Sequence, residues 1–269
     1  MSTDGSDRLA ATTGRLVQLT DLHLTATRRQ RVWRADVWSN LDRVLEELPN
    51  RVGTFDRLLL TGDLANQRDP RTYHALCERL APWLDQVRVL PGNHDNRQLL
   101  REAFPDHVLG DRNSVHFVDR VGGHRLLGLD SKWPKRIHGR LGRDQTDWLM
   151  GLLTTKPVDP SPTLLFVHHP PTRVGAWWLD KDRIRDRRAL ADVFENARIA
   201  GANLRALFTG HVHQATEAEW GGVPVHTTPA TAYQFAPRAW LPRIASNQPA
   251  FRVIDLSPDR IETRIERLS

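Results

Sequence analysis

Short apolar runs recur along this chain of 269 residues, and each of them ends in a group of polar residues. The runs are continuous rather than alternating, which is typical of β-strands that are covered on both faces. The sequence therefore predicts a set of largely buried strands. They are expected within residues 14–23, 56–64, 87–95, 124–131, 163–171 and 205–213.

Helical periodicity occupies the segments between several of these runs. In residues 32–48 the apolar residues recur on one face of a helix. Further helices are expected over residues 70–84, 142–153 and 186–201. Asp186 is a suitable N-cap for the last of them, and Gly201 is a suitable C-cap. Alternating strands and helices predict an α/β architecture.

The end of the chain has a different pattern. Residues 215–229 and 250–268 predict β-hairpins with turns at Gly-Gly and at Ser-Pro-Asp. These hairpins indicate a second, more antiparallel sheet. No linker or internal repeat separates the segments, so we expect one domain over residues 14–269. A short disordered tail is expected before it, over residues 1–13.

Composition narrows the environment and the partners of the protein. Cys77 is the only cysteine, so no internal disulfide can form, which fits a reducing compartment. The sequence shows no targeting segment and no apolar run near the ~18 residues of a membrane span, so we expect a cytoplasmic protein without a membrane partner. The net charge is +6, but the charges are interspersed and no nucleic-acid-binding module is recognisable. This balance suits a small anionic substrate. The sequence leaves the oligomeric state open, and a homo-oligomer is one of the possibilities.

Polar residues with ligand chemistry follow the predicted strands, at the end where open α/β sheets bind their ligands. Half of the 12 histidines lie in these few segments. The candidate residues are Asp21, His23, Asp63, Asn93, His94, Asp95, His168, His169, His211 and His213. Oxygen and imidazole ligands without a thiolate suit Mn, Fe, Zn or Co rather than a structural zinc site. Their number exceeds what one tetrahedral ion takes and fits two ions that share a carboxylate.

The direction of the histidine side chains matters for this interpretation. His211 and His213 are two residues apart, and in an extended segment such side chains point to the same side and can converge on one object. His168 and His169 are adjacent, so only one of them is expected to face the ions. The apolar run before them does not decide which one does.

The segments DLH, GD, GNHD, HH and GHVH, in this order, resemble the calcineurin-like metallophosphoesterase family over about residues 15–235. Within that family, WLDKDRIRDRRALADVF, GHVHQ and TTPATAYQFAP are similar to bacterial class III 3′,5′-cyclic nucleotide phosphodiesterases. The resemblance implies a four-layer αββα sandwich, in which two packed mixed β-sheets are flanked by helices. It also implies hydrolysis of cyclic nucleotides, 3′,5′-cyclic AMP first, by a hydroxide that bridges two metal ions.

The same resemblance assigns roles to the candidate residues. One ion would be held by Asp21, His23 and His213, the other by Asn93, His168 and His211, and both by Asp63 as the bridge. His94 is expected to donate a proton or to stabilise the transition state, with Asp95 orienting it; a structural histidine bound to a backbone carbonyl is the alternative. The expected substrate contacts are Asn93, His94 and His213. For Trp177 and Trp178, in the loop after the histidine pair, core packing is the default, and a lid that stacks on the nucleobase is the alternative.

Two alternatives remain open for the function. One is a phosphodiesterase of another specificity, such as 2′,3′-cyclic nucleotides or glycerophosphodiesters. The other is a non-catalytic binding scaffold on the same fold. Degenerate ligand positions would mark a scaffold, whereas every position is filled in this chain.

Overall fold

The computed structural model describes residues 13–269. The tail predicted over residues 1–13 therefore lies, apart from Thr13, outside the described residues. In chain order the strands are β1 (Gly14–Leu19), β2 (Arg57–Thr61), β3 (Val87–Leu90), β4 (Phe117–Val121), β5 (His124–Leu129), β6 (Thr163–Val167), β7 (Leu204–Thr209), β8 (Thr216–Trp220), β9 (Val223–Thr227), β10 (Gln234–Phe235), β11 (Ile244–Ser246), β12 (Ala250–Leu256) and β13 (Ile261–Arg267). The helices are α1 (Val37–Arg51), α2 (Pro70–Leu80), α3 (Arg97–Ala103), α4 (Arg143–Thr154), α5 (Trp177–Asp180) and α6 (Arg187–Ala200).

Two sheets organise the chain. The first has the strand order β13-β12-β1-β2-β3, in which β1, β2 and β3 are parallel. The second has the order β4-β5-β6-β7-β9-β8, in which β5, β6, β7 and β9 are parallel. Both sheets are mixed, because β12, β13, β4 and β8 run antiparallel to their neighbours. The short strands β10 and β11 form a separate ribbon.

Hydrophobic clusters hold these sheets and helices in four layers. One cluster lies between the two sheets and contains Leu16 of β1 and Phe166 of β6. Another joins the first sheet to α1 and α2, and it contains Val17 of β1 and Leu41 of α1. A third joins the second sheet to α4 and α6, and it contains Leu165 of β6. Neighbouring residues of a strand thus enter different clusters, as the two-residue period of a strand requires, and the predicted αββα sandwich is confirmed.

The predicted helices are present, with shifts at their ends. Helix α1 begins at Val37 rather than at residue 32, because the side chain of Asp36 accepts a hydrogen bond from the backbone N–H of Ser39 and caps the helix there. Helix α2 ends at Leu80, and a 3₁₀ segment follows over Ala81–Gln86. Among residues 13–269, no helix combines the length and the apolar character that crossing a bilayer requires.

Helix α6 confirms one predicted cap and corrects the other. Gly201 ends the helix in the left-handed conformation, with φ of 92°. Asp186 occupies the N-cap position, but its side chain does not cap α6. Its carboxylate instead accepts hydrogen bonds from the backbone N–H groups of Leu141 and Gly142, at 3.0 and 2.7 Å. Asp186 therefore ties α6 to the start of α4.

Both C-terminal hairpins form, but they do not build a common antiparallel sheet. Strands β8 and β9 extend the six-stranded sheet, where β9 pairs in parallel with β7. Strands β12 and β13 extend the five-stranded sheet, where β12 pairs with β1. The prediction of a separate sheet was wrong, because each hairpin pairs with a strand edge that an earlier part of the chain left open.

Candidate metal centre

The candidate ligands lie on loops at the carboxyl ends of parallel strands in both sheets. Asp21 and His23 follow β1, Asp63 follows β2, and Asn93 follows β3 in the first sheet. In the second sheet His168 follows β6, and His211 and His213 follow β7. Because the two sheets pack face to face, these loop ends meet at one edge of the sandwich.

Five of these residues have left-handed backbone conformations, which cost non-glycine residues about 1–3 kcal/mol each. Their φ angles are 52° for Asp21, 44° for His23, 50° for Asp63, 68° for His211 and 52° for His213. The segment His211–His213 is therefore not extended, and the side-chain rule for extended segments does not apply to this pair. Such strain concentrates at functional sites.

Close packing between the ligand-bearing loops requires glycine at two positions of the short motifs. A Cβ atom at Gly92 would collide with the carboxylate of Asp63. A Cβ atom at Gly210 would collide with the side chains of Thr20 and Asp21. Only glycine allows the backbone of one loop to approach the carboxylate of the next so closely.

The first group of ligand atoms comes from Asp21, His23 and His213. The Nε2 atoms of His23 and His213 lie 3.2 Å apart, and the Nε2 atom of His213 lies 3.3 Å from Oδ1 of Asp21. The Nδ1 atom of His213 lies 2.8 Å from the carbonyl oxygen of Tyr233, to which it donates. This hydrogen bond leaves the lone pair on Nε2, which faces the group.

The second group lies around His168 and His211. The Nδ1 atom of His168 donates to the carbonyl oxygen of Thr61 at 2.9 Å, so its Nε2 atom faces inward. The rings of His168 and His211 are 5.3 Å apart between centroids. The Nε2 atom of His211 and Oδ1 of Asn93 are buried without a hydrogen-bond partner.

Two carboxylates face both groups, and in each of them one oxygen accepts a hydrogen bond from a backbone N–H group. Oδ2 of Asp63 lies 3.4 Å from Nε2 of His168 and 3.9 Å from Nε2 of His23. Its Oδ1 accepts the backbone N–H of His94 at 2.8 Å. Oδ2 of Asp21 accepts the backbone N–H of His211 at 2.9 Å, and its Oδ1 has no hydrogen-bond partner.

His169 belongs to the same cluster of rings but has no free nitrogen. Its ring centroid lies 4.5 Å from that of His211. Its Nε2 donates to the carbonyl oxygen of Ile137, and its Nδ1 accepts from the hydroxyl of Ser131, both at 2.7 Å. Because both nitrogens are engaged, His168 is the member of the pair that faces the ligand groups.

The pKa values of most of these groups favour cation binding, whereas His168 must release a proton to an arriving cation. Burial lowers the pKa of His23 and of His211 to about 3, so both rings offer lone pairs at neutral pH. Burial also opposes a charge on His168, but the carboxylates of Asp63 and Asp21 outweigh it and raise the pKa of His168 to about 9. Burial works against the charge on both carboxylates too, yet the histidines around them hold the pKa of each below its usual range.

The residues present fit a pair of metal ions. Buried polar atoms without a partner cost about 1–3 kcal/mol each. The unpartnered atoms that these two groups contribute are Oδ1 of Asp21, Nδ1 of His23, Oδ1 of Asn93, Nε2 of His168 and Nε2 of His211. Two imidazoles that bind one ion through bonds of about 2.1 Å hold their nitrogens about 3–3.5 Å apart, which matches the 3.2 Å between His23 and His213. Hard oxygen and imidazole donors in this number suit divalent first-row ions.

His94 lies beside the first group, but its partner is not the predicted one. Its ring meets that of His23 edge to face at 4.8 Å, and its Nδ1 lies 3.1 Å from the carbonyl oxygen of Asn66. The expectation that Asp95 orients His94 was therefore wrong. Asp95 is occupied by the backbone N–H groups of Leu64, Ala65 and Gly92 and by the hydroxyl of Tyr73. Asp95 holds the loops after β2 and β3 together.

The two tryptophans have different surroundings. Trp178 packs edge to face on Phe235 at 4.7 Å, and Phe235 in turn lies 4.5 Å from the ring of His213. Trp177 is 63% exposed, and Nζ of Lys181 lies 5.4 Å from the centre of its ring. Core packing thus describes Trp178 but not Trp177. Stacking of Trp177 on a substrate stays a prediction.

Fold and site together define an α/β sandwich with a buried centre for two metal ions. A model of the calcineurin-like phosphoesterase family matches residues 14–215, and the chain belongs to this family. Members of the family use divalent metal ions.

Relatives support this assignment over nearly the whole chain. The chain is 29% identical to the 3′,5′-cyclic adenosine monophosphate phosphodiesterase CpdA of Escherichia coli K12, over 95% of this chain and 90% of that protein. It is 32% identical to the enzyme of the same name from Pseudomonas aeruginosa, over 94% of this chain and 89% of that protein. Among solved structures, GAP50 of Plasmodium shares the fold, with a TM-score of 0.61 at 14% identity, over 95% of this chain and 85% of that one.

Proposed function

We propose that the protein is a dinuclear metal-dependent phosphodiesterase that hydrolyses 3′,5′-cyclic nucleotides, with cyclic AMP as the preferred substrate and 5′-AMP as the product. The observation that carries the proposal is the pair of adjacent buried donor groups that share the carboxylates of Asp21 and Asp63. The relatives named as cyclic AMP phosphodiesterases, which match over most of their length, support the choice of substrate.

Each donor group would hold one ion. Asp21, His23 and His213 would hold the first, and Asn93, His168 and His211 the second. Oδ2 of Asp63 faces both groups and is the proposed bridge. Two bound ions would neutralise the charge of the phosphodiester and supply hydroxide at neutral pH.

His94 is the proposed proton donor for the leaving oxygen. The P–O3′ bond breaks during hydrolysis, and the ribose 3′-oxygen must take up a proton. The contact between Nδ1 of His94 and the carbonyl oxygen of Asn66 fixes the ring and leaves Nε2 for the substrate side. A protonated His94 would donate from Nε2 to the 3′-oxygen and become neutral.

The decisive experiment compares substrates on one preparation of purified protein supplied with Mn²⁺. The panel contains 3′,5′-cyclic AMP, 3′,5′-cyclic GMP, 2′,3′-cyclic AMP, a glycerophosphodiester and bis-nitrophenyl phosphate. We expect the highest kcat/KM for 3′,5′-cyclic AMP. A higher value for 2′,3′-cyclic AMP or for the glycerophosphodiester would reassign the specificity. Absence of turnover on every substrate, with Mn²⁺ bound, would identify a binding scaffold.

Other properties stay predictions. The native ions are expected among Mn, Fe, Zn and Co. The single Cys77 supports a cytoplasmic location, and a homo-oligomer stays open.

A further inference from the structure

Lys132 is a buried lysine beside the loop that carries Asn93 and His94. It follows β5, and only 7% of it is exposed. Its Nζ atom donates to the carbonyl oxygen of Asn93 at 2.7 Å and approaches that of Gly92 at 3.4 Å. An ammonium group buried against two backbone carbonyls of a neighbouring loop restricts the position of that loop.

The peptide group between Asn93 and His94 is held at both of its polar atoms. Its carbonyl oxygen accepts from Lys132, and its N–H donates to Oδ1 of Asp63 at 2.8 Å. Two residues before His94, the N–H of Gly92 donates to Asp95 at 2.8 Å. Rotation of this peptide plane would break the contact with Lys132 or that with Asp63. The plane in turn sets the directions in which the side chains of Asn93 and His94 leave the backbone.

Lys132 is itself fixed from the opposite side. Its backbone N–H donates to Oδ1 of Asp130 at 2.8 Å, and its carbonyl oxygen accepts from the guanidinium of Arg97 at 2.5 Å. Arg97 and Asp130 form a bidentate ion pair, in which the side chain of Asp130 is fully buried. The backbone from which the side chain of Lys132 reaches the loop is therefore held at both of its polar atoms.

We propose that Lys132 is a positioning residue of the metal centre: its ammonium group fixes the backbone of Gly92–His94 and thereby aims Oδ1 of Asn93 and the ring of His94. The inference rests on the proposed function, in which Asn93 holds an ion and His94 donates a proton. Lys132 acts through these two residues. Outer partners of metal ligands typically change metal affinity by about 10–100-fold when they are removed.

A cleft next to Lys132 makes a rescue experiment feasible. Lys132, Arg97, His116, Trp133 and Trp148 contribute to its walls, and its volume is about 700 Å³. In Lys132→Ala, a small alkylammonium ion such as ethylammonium can enter from this cleft and occupy the place of the missing ammonium group.

The experiment measures Mn²⁺ binding by calorimetry and turnover of bis-nitrophenyl phosphate and cyclic AMP for wild type, Lys132→Ala and Lys135→Ala. Lys135 lies on the same loop, is exposed and serves as the matched control. We expect Lys132→Ala to bind one of its two ions about 10–100-fold more weakly. Its kcat should fall by a larger factor than its KM changes, and ethylammonium should restore both the metal affinity and kcat. Exchange of the backbone amides of residues 92–94 in the metal-free chain should be faster in Lys132→Ala, whereas Lys135→Ala should match wild type throughout.

Several outcomes would overturn the proposal. Unchanged Mn²⁺ affinity and amide exchange in a folded Lys132→Ala would show that the loop does not depend on the ammonium group. A loss that ethylammonium does not reverse would assign the effect to packing. If both Lys132→Ala and Lys132→Met fail to fold even with ethylammonium, Lys132 serves global stability instead. Because metal binding and amide exchange require no cyclic nucleotide, a wild type that leaves cyclic AMP intact would refute the proposed function without touching this one.

Discussion

The Nε2 atoms of His23 and His213 face each other at 3.2 Å, although 190 residues separate the two histidines in the chain. While its Nδ1 donates to the carbonyl oxygen of Tyr233, a neutral His213 offers a lone pair at Nε2, which can accept the N–H of His23 or bind a cation. Oδ1 of Asp21 lies 3.3 Å from the same nitrogen and has no hydrogen-bond partner. Three potential metal-ligand atoms thus lie around one point, where a bound cation would interact with all of them.

Metal stoichiometry should distinguish a ligand of one ion from the bridge. We expect His213→Ala to lose one of two ions per chain and Asp63→Ala to lose both, since Oδ2 of Asp63 faces both donor groups. Activity should fall by at least about 100-fold in each variant, as removal of a direct ligand exceeds the effect of an outer partner. Mass spectrometry of bound metal checks this, with the exposed Asp147→Ala as control. Retention of two ions by Asp63→Ala would end the bridging assignment.

His94 should matter in proportion to the need of the leaving group for a proton. General acid catalysis contributes about 10²–10⁴-fold, but a nitrophenolate leaves without help whereas a ribose 3′-alkoxide does not. We expect His94→Ala to lose far more kcat on cyclic AMP than on bis-nitrophenyl phosphate. Steady-state kinetics on both substrates tests this, and the exposed His74→Ala is the matched control. Equal losses on the two substrates would indicate that His94 stabilises the phosphate instead.

The polar residues after the strands predicted the candidate centre well, because the topology of parallel strands brings their carboxyl ends together. The directions of the side chains were less predictable. The left-handed conformations of His211 and His213 depend on contacts made after folding, such as the bond from the N–H of His211 to Asp21. Nothing in the local pattern signals such a contact between residues 190 positions apart.

Sequence reasoning can suggest a backbone carbonyl as the partner of a histidine, but it does not identify which carbonyl. The ring of His94 is held by the carbonyl oxygen of Asn66, and any residue at position 66 would offer the same atom. Asp95, by contrast, stood beside His94 in the sequence and suggested a carboxylate–histidine pair. That carboxylate instead accepts hydrogen bonds from the N–H groups of neighbouring loops, because those groups converge on it from three residues. Lys132 gave no signal, because its contacts cross from one sheet to the other.

Asp119 makes the stability of the sandwich depend on pH. This residue of β4 accepts from Arg57 of β2 at 2.6 Å and from Arg88 of β3 at 2.7 Å, so it joins the two sheets. Burial disfavours its charge, but the hydrogen bonds from Arg57 and the N–H of Arg120, and the charge of Arg88, outweigh burial and lower the pKa of Asp119. A lowered pKa in the folded state means that the carboxylate stabilises the fold fully above its unfolded pKa of about 3.9. This stabilisation is lost as the pH falls through the folded value.

We therefore expect Asp119→Asn to lower the free energy of unfolding at neutral pH by about 1–3 kcal/mol, between the values for exposed and for buried ion pairs. The difference from wild type should shrink as the pH falls from about 4, where the carboxylate of the unfolded chain takes up a proton, through the lower pKa of the folded state. Urea denaturation at several pH values measures it. The exposed Asp147→Asn should show neither effect. A difference that does not change with pH would mean that the contribution of Asp119 is not ionic.

Substitutions of Trp177 and Trp178, which lie in one loop, should affect different properties, one of them binding and the other stability. Trp178 packs on Phe235, so Trp178→Ala should lower the free energy of unfolding by about 1–3 kcal/mol, less than for a fully buried tryptophan. Trp177 is 63% exposed, so Trp177→Ala should leave stability unchanged. If Trp177 stacks on the purine, its loss removes about 1–3 kcal/mol of binding. That loss corresponds to a rise of about 5- to 150-fold in KM for cyclic AMP, while bis-nitrophenyl phosphate should turn over as before. Thermal unfolding of both variants tests the two stability effects, and steady-state kinetics of Trp177→Ala on both substrates tests the two effects on KM. An unchanged KM for cyclic AMP in a folded Trp177→Ala would show that the exposed ring does not contact the nucleotide, and a parallel rise of KM on both substrates would indicate a distorted centre instead of a lost stacking contact.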